Sequence, residues 1–200
     1  IYEIKRNLET KDIKRIILDT DTYNEVDDQF ALAYAVMHPQ INLLSINAAP
    51  FFNDRAQSPC DGMEKSYKEI ENILELMNLS GRYPIYKGSD RFLAGERVPV
   101  DSPAARNIIR TAQEAEELVY VVAIGAITNV ASALMLAPEI KEKIAVVWLG
   151  GNSLLRDSPE FNMAQDVMAA KVVLESGVPF IQLPASGVVS ALATTIPELE

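Results

Sequence analysis

The ten residues Asp19-Thr20-Asp21-Thr22-Tyr23-Asn24-Glu25-Val26-Asp27-Asp28 hold five carboxylates, on Asp19, Asp21, Glu25, Asp27 and Asp28. Like charges this close cannot all stay ionised cheaply unless a cation or a shared proton joins them. A hard divalent cation, bound by carboxylate and backbone oxygens, answers that need. A plainer account has Asp27 and Asp28 favouring the positive end of a following helix, with the others solvated in a turn. That account covers two of the five. An EF-hand is excluded, because the turn glycine and the terminal glutamate are missing at their spacing. A Mg²⁺-dependent phosphohydrolase stays open, with Asp19 as phosphoryl-accepting nucleophile and Asp21 as acid/base.

Fewer residues elsewhere have chemical potential. Asn53, in Phe52-Asn53-Asp54, suits either a site or a simple turn. Glu160 and Asn162 follow the turn Gly150-Gly151, whose glycines permit a close backbone approach. Trp148 lies within an apolar run and reads as core or pocket wall. His38, the only histidine, precedes Pro39 and suits a helix C-terminus better than an acid role. The single cysteine, Cys60, has no neighbouring His or Lys to activate it and cannot form an internal disulfide.

These residues need a scaffold, and the chain has one rhythm. Apolar β-branched runs at 15–18, 41–46, 85–86, 119–124, 144–149 and 180–183 alternate with amphipathic stretches at 27–37, 63–77, 101–115, 128–137 and 166–176. Continuous apolar strands, each followed by a helix, predict an α/β fold: a three-layer, Rossmann-like, mainly parallel sheet with helices on both faces. Residues 1–200 read as a single domain, 48 % apolar, enough for a sizeable core. Ligands of such sheets bind outside the carboxyl ends of the strands, which singles out 19–28, 47–58, 87–100, 124–129 and 150–165. The polar stretch 87–100 suits either a lid or a surface connection.

With 18 basic and 28 acidic side chains, the net charge of −10 argues against nucleic acid and against an anionic membrane as partner. No apolar run is long enough to span a bilayer. No signal peptide is visible, which suits a cytoplasmic protein, although the chain begins at Ile1 with no initiator Met.

Asp-x-Asp, a loop, and Asp27-Asp28 opening a helix with Ala31-Leu32-Ala33 resemble the signature of the inosine-uridine-preferring nucleoside hydrolases. Three further segments carry the resemblance. Ile124-Gly125-Ala126-Ile127-Thr128-Asn129-Val130-Ala131 is similar to the family's Gly-x-Leu-Thr-Asn turn. Trp148-Leu149-Gly150-Gly151-Asn152, followed by Glu160-Phe161-Asn162, is similar to its Met-Gly-Gly … Glu-Phe-Asn segment. Asp166 and Ala169-Ala170 fit its Asp-Pro-x-Ala-Ala helix start, with Val167 in place of proline. The likeness runs from about Lys14 to Pro184, and the loop between Asp21 and Asp27 is two residues longer than the family's.

The resemblance implies the nucleoside hydrolase fold and Ca²⁺-dependent hydrolysis of a ribonucleoside N-glycosidic bond. It implies Ca²⁺ ligands at Asp21, Asp28 and the backbone carbonyl of Ile124, with Asp21 also the catalytic base. Asp27, Asn53, Glu160 and Asn162 would hold sugar hydroxyls. The partner would be a small-molecule nucleoside or riboside, and the protein a homodimer or homotetramer. Members usually continue about a hundred residues beyond the position of Glu200, supplying a further Asp ligand and often a leaving-group His. The chain is therefore expected to lack the C-terminal third. Gly187 to Ala193 reads as the beginning of a further helix. Besides the phosphohydrolase, a non-catalytic ribose- or nucleoside-binding protein of the same fold is a third reading.

Overall fold

A computed structural model describes residues 2–93, 95–153, 158–193, 195 and 197. Six strands, β1 (Lys14–Thr20), β2 (Ile41–Ala48), β3 (Ile85–Lys87), β4 (Val119–Ala123), β5 (Ile144–Leu149) and β6 (Phe180–Leu183), form one sheet in the order β3-β2-β1-β4-β5-β6. Every pairing is parallel. The crossovers are α2 (Val26–Met37), α3 (Pro59–Leu76), α4 (Pro103–Glu114), α5 (Thr128–Leu136), and the pair α6 (Phe161–Gln165) and α7 (Val167–Glu175). A first helix, α1 (Tyr2–Glu9), precedes β1 and was not anticipated.

Side chains alternate across each strand, so neighbouring residues feed opposite cores. Ile16 and Leu18 of β1 pack with Leu32 of α2 and with Met63, Ile70 and Leu74 of α3. Ile17 faces the other way, into a cluster with Ile108 of α4, Val130 and Leu134 of α5, and Val172 and Val173 of α7. Helices thus cover both faces, as the predicted three-layer architecture requires. Trp148, 1 % exposed, belongs to the second cluster, so it is core.

Three local differences stand out, two of them with plain causes in helix capping. The helix expected at 63–77 starts at Pro59, because Ser58 caps it through a hydrogen bond from the Asp61 N–H and Pro59 occupies the first turn. The helix expected from 166 begins at Val167, with Asp166 as its cap accepting from the Ala169 N–H at 3.0 Å. Gly187 to Ala193 forms only a 3₁₀ turn over Val189–Ala191. Residues 154–157 of the singled-out segment 150–165, and 198–200, lie outside the described residues.

Gly62, in the first turns of α3, shows packing overriding propensity. A Cβ there would lie 2.0 Å from the Phe51 carbonyl oxygen and 2.9 Å from its carbon, both backbone atoms. Alanine is the better helix former by about 1 kcal/mol, but a clash with fixed backbone costs more. Gly62→Ala is therefore expected to lower the unfolding free energy by at least about 1 kcal/mol, measured by urea or thermal unfolding. A gain in stability would contradict this packing.

Candidate active site

The sheet order reverses direction between β1 and β4, and the crevice outside their carboxyl ends is where such folds bind ligands. Asp19 occupies this junction, registered against Asn47 of β2 and Ala123 of β4. It is fully buried. Its Oδ2 accepts from Asn129 Nδ2 at 3.0 Å, and Asn129 Oδ1 accepts from the Ser89 N–H and hydroxyl at 2.8 and 2.9 Å. Asn47 lies on the other side, its Oδ1 accepting from Asn107 Nδ2 of α4 at 3.1 Å. Burial pushes the Asp19 carboxyl up to about 7, against the opposing pull of Asn129 and Asn47. Its Oδ2 is committed to Asn129, whereas its Oδ1 is buried without a partner.

Asp21, 1 % exposed, and Asp28, 5 % exposed, are brought together by the loop that joins β1 to α2. Asp28 sits in the first turn of α2 and accepts a short hydrogen bond from the Thr20 hydroxyl, which in turn lies 2.9 Å from the Thr22 hydroxyl. Asp21 Oδ2 accepts from Asn24 Nδ2 at 3.1 Å, whereas its Oδ1 is buried without a partner. Burial pushes both carboxyls well up, and the negative charge of Asp28 adds to the rise at Asp21. Asp27 is exposed on the same helix turn, near enough that its charge raises both. Gly125 presses against Asp21: a Cβ there would stand 2.9 Å from Oδ1, so any larger residue would displace that carboxylate.

Two adjacent buried carboxylates, one with an orphaned oxygen, form a hard-oxygen donor set that fits a divalent cation. Among the described residues no group of three His, Cys, Asp or Glu side chains converges, so carboxylates alone do not complete a shell. The other expected ligand, the Ile124 carbonyl, follows β4 and accepts from Asn162 Nδ2 at 2.9 Å, leaving a second lone pair.

The same Asn162 amide donates to the Leu149 carbonyl at 3.0 Å, tying the ends of β4 and β5 together. Glu160 caps α6. Its Oε1 accepts from the Asn162 N–H at 2.9 Å, and its Oε2 from the Gly151 and Met163 N–H groups at 2.6 and 2.9 Å. Both oxygens therefore face backbone. Asn53 is half-buried and makes its turn, accepting from the Arg55 N–H at 2.9 Å, while its Nδ2 reaches Asn24 Oδ1 at 2.7 Å. Both readings of Asn53 are thus compatible with its position. Trp148 Nε1 donates to the Gly125 carbonyl at 3.0 Å, and a Cβ on Gly150 would meet its ring at 2.2 Å. His38 caps the end of α2, as expected, and Cys60 packs at the edge of a core.

Segment 87–100 is pinned rather than free among its described residues. Ser89 is held by Asn129, the Leu93 N–H donates to Asp166 Oδ2 at 2.9 Å, and the Val100 N–H donates to Ser132 at 3.1 Å. Sequence reasoning missed Asn24, Asn47, Asn129 and Ser89 as parts of the site. Asn24 and Asn129 stood within the motifs at 19–28 and 124–131 without being given a role; Asn47 and Ser89 are ordinary polar residues until the sheet assembles.

The family model described as inosine-uridine preferring nucleoside hydrolase matches residues 16–198. The chain belongs to that family. Curated relatives include the pyrimidine-specific ribonucleoside hydrolase RihA of Escherichia coli O1:K1 / APEC, 28 % identical over 194 residues, covering 83 % of this chain and 58 % of the relative. The non-specific ribonucleoside hydrolase RihC of Escherichia coli (strain SMS-3-5 / SECEC) is 28 % identical over 216 residues, covering 92 % and 67 %. Among solved structures, the purine-preferring ribonucleoside hydrolase from Gardnerella vaginalis superposes with a TM-score of 0.67 at 27 % identity, covering 84 % of this chain and 60 % of that one. A plant nucleoside hydrolase, PpNRh1, shares the fold with a TM-score of 0.69 at 22 % identity, covering 86 % and 59 %. This nucleoside hydrolase-family chain thus spans 58 % of the length of RihA.

Asn129 is the amide on which Asp19 and the 87–100 segment both depend. Asn129→Ala would strand a buried carboxylate oxygen and the Ser89 N–H. The expected loss is about 2–4 kcal/mol of unfolding free energy, read from urea denaturation. A loss under about 0.5 kcal/mol, the size of an ordinary surface substitution, would show the network to be energetically idle.

Proposed function

We propose that this protein hydrolyses the N-glycosidic bond of a ribonucleoside or related riboside, releasing ribose and free base, with Ca²⁺ as its cation. The observation that carries this reading is the buried, unpaired Oδ1 of Asp21 beside Asp28, at the carboxyl end of β1 in a chain of this family. Asp21, Asp28 and the Ile124 carbonyl are the groups that would hold Ca²⁺. Bound there, the ion supplies positive charge that lowers the pKa of water and attracts sugar hydroxyls.

The residues of the chain do the rest. Asp21 accepts the proton of the attacking water. Asp27, exposed at the start of α2, accepts a hydrogen bond from a ribose hydroxyl. Asn53, Asn162 and Glu160 hold or frame the remaining sugar hydroxyls. Cleavage of a ribosyl bond passes through an oxocarbenium-like state, and nearby carboxylates and amide oxygens stabilise its developing positive charge. The substrate class is a small-molecule nucleoside, and by family likeness the working form is a homodimer or homotetramer. Among the described residues no helix is long and apolar enough to cross a membrane.

The product of the complete gene is expected to release nitrophenol from a p-nitrophenyl riboside, and excess calcium chelator is expected to abolish that release. This leaving group departs readily and so needs little help from a general acid. Asp28→Asn should lower kcat/KM by more than about 100-fold, beyond the range typical for losing a group behind the ligands, and should exceed the effect of Asp19→Asn. The reverse ranking, with phosphate released from a phosphate monoester, would revive the phosphohydrolase. Absence of nitrophenol from a folded protein that still binds calcium would favour a binding protein.

A further inference from the structure

Asn24 lies in the stretch between Asp21 and Asp27, where the chain is longer than the family pattern. It is 4 % exposed, although it sits in a loop between two exposed residues, Tyr23 and Glu25. Its backbone N–H closes a turn onto the Asp21 carbonyl at 2.7 Å, which brings the side chain back over Asp21. The amide then bridges two groups: Nδ2 donates to Asp21 Oδ2 at 3.1 Å, and Oδ1 accepts from Asn53 Nδ2 at 2.7 Å.

The polarity of this bridge is set from outside. The Arg55 N–H donates to Asn53 Oδ1 at 2.9 Å, so the Asn53 amide must turn its NH₂ toward Asn24. Asn24 must then present its oxygen to Asn53 and its NH₂ to Asp21. A flipped Asn24 would set its oxygen against the Asp21 carboxylate and its NH₂ against the NH₂ of Asn53. The relay thus fills Oδ2 of Asp21 with a donor and leaves Oδ1, the oxygen without a partner, as the one free to bind. Gly125 closes the other side of Oδ1, where even a Cβ would approach to 2.9 Å.

We propose that Asn24 is a positioning residue, which locks Asp21 in the orientation that offers Oδ1 to a cation and joins it to Asn53 through one hydrogen-bonded relay. The inference rests on the function proposed above and deepens it. It makes the cation side of the site and its sugar side mechanically one unit, through a residue from the lengthened loop. Asn24 acts through Asp21 and Asn53, the two residues its side chain bonds.

The test is calcium titration of the purified protein by calorimetry, with thermal unfolding of each variant measured alongside. Asn24→Ala is expected to weaken calcium about tenfold, in the range seen when a group orienting a ligand is removed. Asn53→Ala cuts the same relay from its half-buried end and is the variant to rely on if Asn24→Ala fails to fold. It is expected to weaken calcium by a smaller factor. The double variant should bind no more weakly than Asn24→Ala alone, since both substitutions open one chain of bonds. Unchanged calcium affinity in a folded Asn24→Ala protein would overturn the inference while leaving the site standing, and so would fully additive losses. Absence of calcium binding by the unsubstituted protein would overturn the site and the relay together.

Discussion

Burial of carboxylates at the end of β1 is the constraint on which the rest of the site depends. Asp19, Asp21 and Asp28 are withdrawn from water within a few residues of one another, and no ion pair to any of them occurs among the described residues. Removing a charge from water costs several kcal/mol even after relaxation. The protein offsets that cost with neutral donors: Asn129 for Asp19, Asn24 for Asp21 and Thr20 for Asp28. Neutral donors stabilise a carboxylate without cancelling its charge, as an ion pair with lysine or arginine would.

That arrangement recruits residues from across the chain. Asn47 comes from β2, Asn107 from α4, Ser89 from the segment after β3, and Asn129 from the first turn of α5. The parallel topology makes this possible, because every strand delivers its following loop to the same edge of the sheet. A second layer of acidic groups works through backbone instead. Glu160 caps α6 and closes on Gly151. Asp166 caps α7 while also holding the Leu93 N–H and the Thr128 hydroxyl. These carboxylates brace the rim, and those of β1 and α2 line its floor.

Glycine placement follows the same logic of close approach. Gly125 lets the turn after β4 press on Asp21, and Gly150 lets the turn after β5 pass over the Trp148 ring. The indole N–H bonds back to the Gly125 carbonyl at 3.0 Å, so the two turns support each other. Shape at the site is therefore partly a property of the core beneath it.

Much of this was legible in the order of residues. Strands such as Val119–Ala123, apolar at each position, and helix signals such as Ser102-Pro103 are local, since periodicity and capping act over a few residues. The acidic run after β1 and the motifs at 124–131, 148–162 and 166–170 likewise carried the resemblance to the nucleoside hydrolase family, whose model matches residues 16–198. The start of α3, misplaced by four residues, was legible too, in Ser58-Pro59. Tertiary structure alone decided which oxygens are spoken for. Asn24 and Asn129 are unremarkable letters until the turn and the sheet aim their amides at Asp21 and Asp19. Glu160 is a carboxylate like the others until α6 supplies N–H groups for both its oxygens. The reason is physical: chain propensity is set by neighbours in sequence, whereas hydrogen-bond partners and burial are set by neighbours in space.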